Sequence, residues 1–186
     1  MPRLSKPRIQ PLASEEVPEE VRKYAGGGPN RPVLNIYRTV ARHPGLAKRW
    51  LVFGSHVLGK STLDARTREL LILRTGWLCQ SEYEWGQHTR IGKAAGLTDD
   101  EIKRIAKGPA APGWSDFDRT LLQAADELHE DSFISDATWA ALSTRYGDQE
   151  LLDLIFAIGQ YTMVSMALNS LGVQLEPGTP GFKETT

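Results

Sequence analysis

The sequence predicts an all-α fold, a multi-helix bundle with an irregular N-terminal arm. Three observations predict it. Apolar residues recur at helical spacing from residue 33 to residue 171. Most of these stretches open on Ser, Thr or Asp and several close on Gly, the residues that cap helices. No convincing strand pattern and no repeat of solenoid period interrupts them. At 186 residues the chain is long enough for one domain with a real core. Its 40% apolar and 24% charged content is ordinary for a globular protein. The expected organisation is an arm over residues 1–32, a helical domain over 33–175 and a polar tail over 176–186.

The bulk numbers also exclude function classes. A net charge of −1 removes any composition argument for nucleic acid, because phosphates are bound by clustered Lys and Arg. No apolar run reaches the roughly 18–20 residues of a bilayer span, so no membrane is expected. The opening MPRLSKPRIQPL has basic residues but no apolar core, so a secretory signal is not expected. The single cysteine, Cys79, cannot form an internal disulfide, and a cytoplasmic setting is the default.

In chain order, residues 1–32 hold six prolines and the run Gly26-Gly27-Gly28, so the arm is expected to be mostly irregular. A short helix is expected over 17–24, with Ser14 as cap and Glu15, Glu16, Glu19 and Glu20 near its positive end. Residues 33–41 are apolar on one face through Val33, Ile36, Tyr37 and Val40. His43-Pro44 ends that helix, since a residue before proline avoids the helical region. A second helix is expected over 45–59, with Trp50, Phe53 and Val57 on its apolar positions. The lone histidines His43 and His56 are read as capping, packing or exposed groups. Thr62 or Asp64 then caps a helix whose Leu70, Leu71, Leu73, Trp77 and Leu78 run almost all round it. That pattern predicts a central element.

The next helix runs from near Ser81 to Gly96, and Thr98 with Glu101 forms a capping box for a short helix after it. Residues 108–113 (GPAAPG) read as a loop. Ser115 or Asp116 starts a helix with the stripe Phe117, Leu121, Leu122, Ala125 and Leu128. Ser135-Asp136 caps another that ends at Gly147. The last long helix, from Asp148 to the stop at Gly172, is apolar all round, which predicts burial between helices or in a subunit interface.

Residues 69–96 concentrate the reactive side chains: Glu69, then Cys79, Ser81, Glu82, Tyr83, Glu84 and His88. Glu84 and His88 lie four apart on a helix, about 5–6 Å between Cβ atoms, so the carboxylate can hold the imidazole in one tautomer and raise its basicity. Tyr83 adds a hydroxyl in the first turn. Ser81 marks a helix N-terminus able to hold a carboxylate or enolate. Glu69 reaches the same end if the two helices pack antiparallel. A structural reading competes: Ser81-x-x-Glu84 is also a capping box, and Glu84–His88 could be a surface pair. Trp85 reads as packing, and Cys79 as a small buried group rather than a nucleophile. Two ligands fall short of a zinc site, so no metal is expected.

On these residues the chain resembles the carboxymuconolactone decarboxylase family, and within it the alkylhydroperoxidase D-like proteins. TLDARTRELLILRTGWL resembles the family's arginine-glutamate helix, and SEYEWGQHTRIGKAAGLTDDEI its motif helix, histidine and glycine stop. The resemblance extends over about residues 11–174 and implies the alkylhydroperoxidase D-like helical fold. In the peroxidase branch, CxxC carries the redox chemistry. Laid on this chain, those cysteine positions fall at Ser81 and Glu84 and the inner histidine at Tyr83, so the two-cysteine cycle cannot run within one chain. The decarboxylase branch implies a cofactor-independent lyase acting in aromatic-compound catabolism. In it, His88 would be the proton donor or base, Glu84 its partner and Glu69 a second acid or base. Tyr83 would donate to a substrate oxygen, and Arg66, Arg68 or Arg74 would anchor carboxylates. The resemblance implies a small-molecule substrate, no cofactor, and a homo-oligomer (dimer, trimer or hexamer). The expected substrate is a small lactone or carbonyl acid. A peroxidase-like enzyme and a non-catalytic small-molecule binder are the alternatives.

Overall fold

The helix Ala65–Leu78 (α4) is the axis of the molecule. In the computed structural model, which describes residues 3–25 and 33–185, it follows α1 (Glu19–Arg22), α2 (Asn35–Val40) and α3 (Pro44–Gly59). It precedes α5 (Glu82–Ala94), α6 (Asp99–Lys107), α7 (Asp116–Glu130), α8 (Asp136–Leu142), α9 (Asp148–Leu171) and α10 (Phe182–Thr185). A 3₁₀ turn at Ser14–Glu16 comes first, and no strand occurs among the described residues. The fold is all-α, as expected. The run Gly26-Gly27-Gly28, with Pro29 and Pro32, lies outside the described residues.

The expected central role of α4 holds. It packs against α5, α6, α7 and α9, and Leu70, Leu71, Ile72 and Leu73 are all buried. Asp64 caps it by accepting from the Thr67 N–H at 3.0 Å, Thr98 and Glu101 form their capping box on α6, and Ser115 and Ser135 cap α7 and α8. His43 caps α3 through Nδ1, which accepts from Leu46 N–H at 3.2 Å. The expected helix over 17–24 is shorter, only Glu19–Arg22, and begins at Pro18 rather than from a Ser14 cap.

The N-terminal arm lies along its own chain. Arg8 N–H donates to the Leu171 carbonyl, and Val17 and Val21 are buried in one cluster with Ala47 and Leu51 of α3. The polar tail is likewise packed. Phe182 stacks within 5.1 Å of Trp77 and 5.8 Å of Trp85, and a Cβ on Gly86 would strike the Pro180 carbonyl. Glycine at position 86 is what lets the tail lie on α5.

Helix α9 corrects one expectation. By length and composition it is apolar enough to cross a bilayer, yet half of that apolar stretch is buried inside the protein. Leu154, Ile158 and Leu168 face the core, while Leu152, Phe156, Met163 and Met166 stay exposed.

Candidate active site

The site is built by the α4–α5 hairpin. Helix α4 ends on Gln80 in the left-handed conformation (φ 52°), with Gln80 N–H donating to the Trp77 carbonyl and Ser81 N–H to the Gly76 carbonyl at 2.8 Å. This double closure is a Schellman stop, and α5 restarts at once in the opposite direction. Two glycines then let the helices approach. A Cβ on Gly76 would sit 3.3 Å from Cβ of Glu84, and one on Gly92 would meet Leu97, Leu73 and the Glu69 side chain. The two helices pack antiparallel, which brings Glu69 of α4 to the middle of α5.

Glu69, Glu84 and His88 converge. His88 Nδ1 lies 2.6 Å from Glu69 Oε2, and Nε2 lies 3.3 Å from Glu84 Oε2. All three are buried, Glu69 completely. Burial alone would lower the imidazole's pKa. The charges and hydrogen bonds of Glu69 and Glu84 override it and push it up to about 9, so the ring is an imidazolium at neutral pH. The edge-to-face ring of Tyr161, 4.8 Å away, closes the third side. Arg68 Nε stands 3.4 Å from the other oxygen of Glu69. The capping-box reading of Ser81-x-x-Glu84 fails here, because Ser81 makes no side-chain cap bond and Glu84 turns to His88 instead.

Glu84 and His88 form part of the wall of a pocket of about 110 Å³ that opens to solvent between α2, α3, α5 and α9. Aromatic side chains dominate the rest of the wall: Tyr37, Trp50, Tyr83 and Tyr161. Burial, with Glu84 nearby, raises the pKa values of Tyr37 and Tyr161, so both phenols stay protonated and can donate. Gln160 also lines the pocket, and its buried carbonyl oxygen has no hydrogen-bond partner among the described residues.

The remaining sequence candidates are placed differently. Glu69 does not border the pocket; it stands behind His88 and holds it. Tyr83 borders the pocket, but its hydroxyl donates to Glu176 Oε1 at 2.7 Å and accepts from Ile36 N–H. Ser81 is buried outside the pocket, and its hydroxyl has no partner among the described residues. Arg66 is a correction: it is bound by Asp118 and Glu101. Arg74 is another: both ends of its fork meet Asp126 at 2.5 and 2.8 Å, and it donates to the Ile105 carbonyl. Neither arginine reaches the pocket. Cys79 is half-buried, 3.9 Å from His129 Nδ1, and burial pushes its thiol up, away from thiolate reactivity.

Sequence reasoning missed Trp50, Gln160 and Tyr161 as site residues and saw Tyr37 only as an apolar-face residue. The one hint was Gln160-Tyr161, a polar amide and a phenol set inside an otherwise apolar helix.

The helical bundle has the alkylhydroperoxidase D-like all-α fold. Residues 44–127 match the model of the carboxymuconolactone decarboxylase family. Solved structures agree on the fold. An uncharacterized peroxidase-related protein from a Silicibacter species superposes with a TM-score of 0.78 at 16% identity, covering 95% of this chain and 97% of that one. The alkylhydroperoxidase AhpD core of an uncharacterized peroxidase-related protein from Ralstonia eutropha gives 0.72 at 17% identity, covering 91% and 95%. The debrominase Bmp8 in complex with 2,3,4-tribromopyrrole gives 0.77 at 12% identity, covering 93% and 94%. No curated protein matches the chain.

Proposed function

We propose that the protein is a cofactor-independent acid/base enzyme that moves a proton on a small carbonyl compound or lactone. One observation carries this reading: the His88 ring is held between two carboxylates, with one of those carboxylates in the wall of an aromatic pocket. Glu84 takes a proton from the carbon next to a carbonyl, and the released electron pair moves onto the carbonyl oxygen. The phenols of Tyr37 and Tyr161 line the same pocket and are suited to donate to that oxygen. His88, fixed through Nδ1 by Glu69, holds Glu84 through Nε2 and as an imidazolium can supply a proton to the substrate. Return of the proton at a second carbon gives isomerisation. Loss of CO2 from a carboxylated substrate, followed by protonation of the carbon, would use the same groups. Two fold neighbours are described as peroxidase-related, which raises thiol chemistry as an alternative reading for this chain. Here a single half-buried cysteine stands outside the motif, which speaks against it.

The test is a turnover screen of small lactones and β-keto compounds against the wild type and His88→Gln. The reading predicts turnover that falls about 10²–10⁴-fold in the variant. Turnover equal in both proteins would overturn it. Self-association is part of the same proposal. Leu152, Phe156, Met163 and Met166 of α9, with Leu46 and Val52 of α3, form exposed apolar surface suited to a second copy. Sedimentation analysis should give a mass above the 20.6 kDa of one chain.

A further inference from the structure

The pocket has a charge inventory that restricts what can enter it. Every cation near its wall is already matched. His88 is bracketed by Glu69 and Glu84, and Arg68 meets the second oxygen of Glu69. Two positive groups thus face two carboxylates, and no Lys or Arg lines the pocket among the described residues. A carboxylate drawn inside would be desolvated beside Glu84 with no unmatched cation to meet it. A cation would find no excess negative charge. What the wall does offer is flat aromatic surface, the neutral phenol donors of Tyr37 and Tyr161, and hydrogen-bond acceptors. The acceptors are the Glu84 carboxylate and the Gln160 carboxamide, whose terminal torsion is soft enough to turn its unpartnered oxygen inward. Size restricts the occupant further. A cavity of about 150 Å³ holds benzene, so about 110 Å³ open on one side holds at most a single ring.

We propose that this pocket takes an uncharged molecule of one ring or less that carries an O–H or N–H, and that it rejects carboxylated substrates. The inference rests on the acid/base reading of the same pocket and narrows it. The reaction that fits is proton transfer within a neutral enol, hydroxylated ring or lactone, in which the proton leaving one atom returns to another and nothing is lost. Decarboxylation, which needs an anionic substrate, does not fit.

The test is titration calorimetry of the full chain at neutral pH with three probes of one ring each: phenol, its methyl ether anisole, and benzoate. Phenol should bind tightest, and benzoate at least about tenfold more weakly, as expected for an uncompensated charge. Glu84→Gln leaves the imidazolium short of one carboxylate, so benzoate should gain about tenfold relative to phenol. Gln160→Leu should reduce the preference for phenol over anisole, while Gln160→Glu, which keeps an acceptor, retains it. Thermal midpoints of the variants establish that they fold. Benzoate binding as tightly as phenol to the wild type would overturn the proposal, as would failure of both neutral rings to bind. These outcomes are independent of turnover. If the binding order holds while His88→Gln leaves turnover unchanged, only the acid/base reading fails. If turnover depends on His88 but benzoate binds tightest, only this inference fails.

Discussion

Arg66 and Arg74 of α4 face α6 and α7, whereas Glu69 of the same helix faces α5. On the first face, Arg66 and Arg74 end on Asp118, Glu101 and Asp126, carboxylates that lead to no cavity. On the second face, Glu69 meets a titratable ring whose other nitrogen leads on to Glu84 and the pocket. Both faces satisfy buried charge. They differ in whether the chain of hydrogen bonds stops inside the protein or reaches a cavity. Each face pairs charged α4 side chains with groups of opposite charge, so what separates brace from site is the helix each side chain meets.

The comparison can be broken most sharply at His88. His88→Gln should lower turnover by about 10²–10⁴-fold while the protein stays folded by circular dichroism. The same side chain leaves a pH signature. Its pKa is raised from 6.5 to about 9 in the folded state. The stability it contributes is therefore fully present below pH 6.5 and lost as pH rises through 9. Denaturant unfolding across that window should show falling stability in the wild type and a flatter profile in His88→Gln.

The bracing face should respond in stability instead. Arg74→Ala removes a buried guanidinium, leaves the partly buried Asp126 without its partner and should cost about 3 kcal/mol in urea unfolding. Arg66 is about a third exposed, with 31% of its side chain accessible, so solvent screens its pairs. Arg66→Ala should cost only about 1 kcal/mol. A loss of turnover beyond the loss of folded protein in either variant would blur the distinction between the two faces.

Much of this was legible in the sequence. Asp64, Thr98, Ser115 and Ser135 act as the caps their positions suggested, because capping depends on residues within one turn. The all-round apolar pattern of α4 marked it as central for a similarly local reason. Glu69, Glu84 and His88 were legible as candidates, although only the antiparallel hairpin, with Gly76 and Gly92 at its contact points, shows that they meet. Arg66 and Arg74 were misjudged because their partners lie 52 residues away on α7, a distance no spacing rule reaches. Tyr161 and Gln160 were missed for the same reason, being brought to His88 only by the packing of α9. The tail read only as polar. Phe182 and Glu176, which dock it on α5, are single residues without periodicity.

The most direct measurement is an NMR titration of the His88 imidazole in the wild type and in Glu84→Gln. The account predicts that His88 stays protonated through neutral pH and titrates near pH 9 in the wild type, with a clear downward shift when Glu84 loses its charge. A His88 that titrates near 6.5, the ordinary value, and does not respond to Glu84→Gln would contradict the carboxylate–imidazolium–carboxylate site.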